Sequence, residues 1–103
     1  MMDISEISKR ALEIRSKYAE LEMKKFGHEW SNKEIFKGFK KDVSDLESLI
    51  ADDQIRPSEF AHELSDCLWS ILVMANKYEI DIEKSFLETM NDLEQKIKQE
   101  LDQ

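Results

Sequence analysis

The chain has 103 residues, of which 41% are hydrophobic and 37% charged, with only 2 glycines and 1 proline. That is the length of one domain, too poor in turn-formers for a sheet protein and too apolar for a disordered chain. A balance of 15 Lys and Arg against 23 Asp and Glu leaves a net charge of −8, which speaks against nucleic acid or an anionic membrane surface as a direct partner.

The single cysteine excludes an intrachain disulfide and suits a reducing cytoplasm. No apolar run approaches the roughly 20 residues of a bilayer span, and the first residues lack a signal-peptide core. The expectation is a cytoplasmic protein with no membrane segment.

Apolar residues recur at close to helical spacing throughout. Ile4, Ile7, Ala11, Ile14, Tyr18 and Leu21 form one stripe, which predicts a first helix from about Asp3 to Lys25, stopped by Gly27. Ser31 with Glu34 reads as a capping box, preceded by Trp30, and opens a second helix carrying Ile35, Phe39, Val43, Leu46 and Ile50. That helix ends in Asp52-Asp53-Gln54, and Pro57 drives Arg56 out of helical dihedrals. Ser58 is the expected cap of a third helix running to about Tyr78. Asp81 caps a fourth, striped by Ile82, Phe86, Met90, Leu93 and Ile97.

Connections this short suit antiparallel helix neighbours. The fold class expected is all-α, a four-helix bundle forming one domain over residues 1–103. The third helix is apolar around most of its circumference from Cys67 to Ala75, more than a small bundle can cover. Packing against a second copy would cover it, so a homo-oligomer is expected, a homodimer or a homotetramer.

On helical wheels the acidic residues of the two middle helices fall in unexpected places. Asp42 lies inside the apolar arc of the second helix, and Asp45 at its edge. On the third helix Glu59, Glu63, Asp66 and Ser70 make one narrow acidic stripe. Residues three apart on a helix are neighbours, so Asp42 with Asp45, and Glu63 with Asp66, form two convergent pairs. Brought together by antiparallel helices, four uncompensated carboxylates need protons, basic partners or a metal. An all-oxygen set of this kind suits Mg²⁺ or Mn²⁺. The plainer reading is that acidic pairs arise by chance on solvated faces of so acidic a chain.

These residues resemble the MazG-like family of all-α nucleotide pyrophosphohydrolases. Its signature is an E-x-x-E pair on one helix and an E-x-x-D pair on the next. Asp42-Val43-Ser44-Asp45 occupies the first and Glu63-Leu64-Ser65-Asp66 matches the second. Gly38-Phe39, the run from His62 to Ser70, and Ile80-Asp81-Ile82-Glu83-Lys84-Ser85-Phe86 extend the likeness over roughly residues 28–97. The resemblance implies an enzyme cleaving a nucleoside triphosphate to monophosphate and pyrophosphate with Mg²⁺, a house-cleaning of non-canonical nucleotides among its uses. It implies Asp42, Asp45, Glu63 and Asp66 as metal ligands and catalytic carboxylates.

The chain departs from that pattern in two places. The first pair has Asp where relatives have Glu, one methylene shorter. In the fourth helix Thr89-Met90, Leu93 and Glu94 stand where many relatives carry Lys-Met, Asn and Arg. The usual phosphate-holding cations are then either missing or supplied from elsewhere, by Lys37, Lys40 or Lys41, with Trp30 as an aromatic for a base to stack on or, more plainly, a staple beside the helix cap. The competing function is a non-catalytic nucleotide- or metal-binding helical oligomerisation module. Trp69 and Cys67 read as packing residues, and His28 and His62 lack the partners of a zinc site.

Overall fold

The computed structural model describes residues 3–52 and 54–103. Four helices follow one another: α1 (Ile4–Phe26), α2 (Asn32–Ala51), α3 (Pro57–Lys77) and α4 (Ile82–Leu101), with no strand among the described residues. No helix is long and apolar enough to cross a membrane.

Local devices set most helix ends. The Asp3 carboxylate accepts from the Glu6 N–H at 2.9 Å, and Gly27, at φ 78°, closes α1 by donating to the Met23 carbonyl. Ser31 and Glu34 form both halves of a capping box. Asp52 caps the C-terminus of α2, while Asp53 lies outside the described residues. The start of α3 corrects one expectation: the helix begins at Pro57, one residue before Ser58, with Arg56 in the cap position and no side-chain cap. Proline's fixed φ is already helical and its missing N–H has no partner to lose at a first position, so Pro57 itself starts the helix.

The corner between α3 and α4 is fully bonded. Ile80 donates to the Ala75 carbonyl at 2.8 Å and Glu79 to that of Asn76 at 3.0 Å, the paired bonds of a Schellman motif. Glu79 takes the left-handed conformation, φ 56°, that glycine more often supplies. Asp81 then accepts from the Lys84 N–H and caps α4 without a spacer.

α3 is the spine, packed along α2 and crossed by α1. Its Cys67, Leu72, Val73 and Ala75 are buried, together with Ile35 from α2. Trp69 fastens α1: its indole N–H donates to the Ala11 carbonyl at 3.0 Å and its ring lies 5.6 Å from that of Tyr18. The turn after α1 is tied down by Glu22, 6% exposed, which takes the Arg15 guanidinium and the Trp30 N–H.

α4 stands apart. It contributes no buried residue; only Ile82, at its start, is even half-buried. The molecule therefore measures 59 Å along its longest axis with a radius of gyration of 17.0 Å. A closed domain of this length would have about 13 Å. All four helices form as expected, but the fourth does not close a bundle; the packed body is three helices.

Candidate functional site

The acidic site grows from two helical repeats facing each other. On α2, Ile35, Asp42 and Leu49 recur every seven residues on the side turned to α3, so Asp42 occupies a place that an apolar residue would otherwise fill. Asp45 lies one turn further along, and Glu63 reaches across from α3. One carboxylate oxygen from each of Asp42, Asp45 and Glu63 lies within 4.8 Å of the others. None of the three is fully exposed, and Glu63 Oε2 is buried with no hydrogen-bond partner.

The electrostatics follow from that convergence. Burial pushes the Asp42 carboxyl above its ordinary value, and the charges of Asp66 and Asp45 push the same way, against smaller relief from Lys41 and His62. The Cys67 thiol behind the cluster is raised by burial, then by Asp42, Glu63 and Asp66. It is a poor nucleophile, in keeping with a packing role. Glu22 behaves oppositely. Burial alone would raise it, but the Arg15 and Trp30 hydrogen bonds and the nearby positive charge of Arg15 leave it below its ordinary value.

Two concavities meet at the carboxylates. On one side a cavity of about 360 Å³ runs between α1, α2 and α3, walled by Tyr18, Trp30 and Trp69, with Arg15, Lys41, Asp42 and Asp66 at its edges. Gly38 shapes its wall: a Cβ there would touch the Trp30 ring at 3.5 Å. On the other side a more polar hollow of about 340 Å³ is lined by Asp45, Glu59, His62 and Glu63.

The predicted residues distribute unevenly over this geometry. Asp42, Asp45 and Glu63 converge, but Asp66 pairs instead with His62 at 3.3 Å and faces the aromatic cavity. The cause is helical spacing. His62 and Asp66 are four apart on one face of α3, and their contact holds the carboxylate beside the trio. Of the three candidate lysines, Lys41 borders the aromatic cavity and lies 3.6 Å from Asp45, while Lys37 and Lys40 are exposed and line neither concavity. Trp30 is a cavity wall with the Arg15 guanidinium 5.8 Å from its ring centre.

Arg15 and Glu22 were not legible as site residues. They are seven apart on one face of α1, with Tyr18 between them near the same face, and a buried ion pair was the signal in that spacing.

One oxygen from each of the three carboxylates lies close enough to the others to hold a hard, oxygen-preferring cation. The unpartnered Glu63 oxygen supports that fit, since a buried carboxylate oxygen otherwise goes without the bond it needs. No family model, curated protein or solved structure matches the chain.

Proposed function

We propose that the chain is a Mg²⁺-dependent nucleotide pyrophosphohydrolase, with Mn²⁺ as a substitute ion. The observation that carries the reading is the orphaned Glu63 oxygen, buried among carboxylates that converge between an aromatic cavity and a polar hollow. Asp42, Asp45 and Glu63 would hold the ion, with Asp66 reaching it only on leaving His62. The bound ion would screen the acidic site from a triphosphate and offset the charge that develops on its oxygens.

The chain's own residues then have separable tasks. Tyr18, Trp30 and Trp69 offer aromatic surface to a flat heterocycle, a contact that tolerates different bases. Lys41 supplies positive charge between that cavity and Asp45, taking the phosphate-holding part for which the three lysines are candidates. One carboxylate of the cluster would orient the attacking water and accept its proton. Water oxygen bonds to phosphorus, the bond between the α and β phosphates breaks, and monophosphate and pyrophosphate leave.

The test is a panel of canonical and modified nucleoside triphosphates with Mg²⁺, read by chromatography for monophosphate and pyrophosphate. Glu63→Ala is the control and is expected to lose more than the roughly 100-fold that a supporting residue around a metal costs. Mg²⁺ binding by calorimetry without turnover on any nucleotide would favour the non-catalytic binding module. Absence of Mg²⁺ binding would reduce the trio to solvated surface.

A further inference from the structure

We propose that α4 is an exchanged arm: its apolar stripe covers the open face of α2 and α3 in a second copy of the chain, and the second copy returns the contact. The stripe runs through Phe86, Met90, Leu93, Ile97 and Leu101, all exposed, Leu101 by 75%. An exposed amphipathic helix of this length is stable in water chiefly through what its apolar face packs on.

The same chain carries a matching uncovered face. Phe36, Val43 and Ile50 recur every seven residues along α2, and Leu64 and Ile71 lie seven apart on α3; all five are exposed. On an antiparallel pair these two stripes emerge on one side, because each lies about 90–100° around its helix from the contact between them, in senses that coincide when the axes are opposed. That side faces away from α1, which crosses α3 at Trp69 and Leu72.

Length and charge select a second copy as the occupant. At about 1.5 Å per residue the 20 residues of α4 span about 30 Å, as do the 20 of α2. The outer side of α2 carries Lys33, Lys37 and Lys40 against one exposed acid, Glu47, while its Asp42 and Asp45 turn inward. On α4, Glu83, Glu88, Asp92, Glu94 and Glu100 outnumber Lys84, Lys96 and Lys98. An acidic arm thus meets a basic-rimmed groove of the same length.

The corner is held by the Schellman bonds of Glu79 and Ile80 and by the Asp81 cap, and it carries α4 away from the α2–α3 pair of its own chain. This proposal is independent of the enzymatic reading, since the acidic site lies on the α1 side of the α2–α3 pair.

The experiment is light scattering after gel filtration on the full chain and on a Phe86→Glu/Ile97→Glu double variant, without nucleotide or metal. The wild type should weigh twice the 12.2 kDa chain, and the variant should fall to one chain with its helical circular dichroism retained. A monomeric wild type, or a variant that remains assembled, overturns the proposal. Should the variant unfold, hydrogen exchange on the wild type decides. Protection of the amides from Phe86 to Leu101 should rise with protein concentration; protection independent of concentration means that α4 packs on its own chain, and overturns it.

Discussion

Asp42 occupies a position that favours its neutral form. Its α2 neighbours at the same face, Ile35 and Leu49, are apolar, and Asp45 and Asp66 add negative charge beside it. A carboxyl whose folded value is raised contributes stability below the unfolded value, near pH 4, and loses it as pH rises through the folded value. At neutral pH the ionised side chain therefore weakens the metal-free fold. Asp42→Asn keeps the shape and removes the charge. Its metal-free Tm at pH 7 should exceed wild type by a few degrees, on a scale where about 1 kcal/mol moves so small a domain by about 4–8 °C. The difference should shrink as pH falls toward 4. A lower Tm for the variant at pH 7 would make Asp42 a structural carboxylate and remove the cost on which the metal reading depends.

At the scale of elements, the helix ends were legible because each is a local chemical device: Gly27 needs only its own φ, Ser31 and Glu34 only each other. Ser58 misled because a cap-forming side chain next to a proline competes with the proline itself for the start of the helix. The convergence of Asp42 and Asp45 with Glu63 was legible too, since helical wheels place side chains well when two helices are antiparallel neighbours. The diversion of Asp66 to His62, and the Arg15–Glu22 pair, were not. Spacing lists which side chains can meet along a helix but not which of several partners each one takes.

The α3–α4 corner carries its own prediction. Glu79 bears a Cβ in left-handed backbone, which costs an ordinary residue about 1–2 kcal/mol that glycine does not pay in full. Glu79→Gly should stabilise the chain by about 1 kcal/mol in urea unfolding, and unchanged or reduced stability would show that the Glu79 side chain compensates its backbone.

For the whole molecule, the departure from a closed bundle has the largest consequence. Periodicity established that α4 is amphipathic, but an apolar stripe is equally satisfied by its own chain or by another, so which of the two covers it is not written in the spacing. The structure separates two regions that a closed bundle would merge: the carboxylates lie between α2 and α3 toward α1, and the arm extends from the far end of α3. Metal binding and assembly should then respond to different substitutions. An ion that binds only the folded chain stabilises it by about 2.7 kcal/mol at 100 times its Kd. Saturating Mg²⁺ should therefore raise the Tm of the Phe86→Glu/Ile97→Glu variant by about as much as it raises wild type, although that variant is a single chain. In Glu63→Ala the rise should vanish while the assembled mass stays unchanged. If the arm variant lost the Mg²⁺ response, the site would have to be built across two copies, and the carboxylates of one chain would be half of a larger centre.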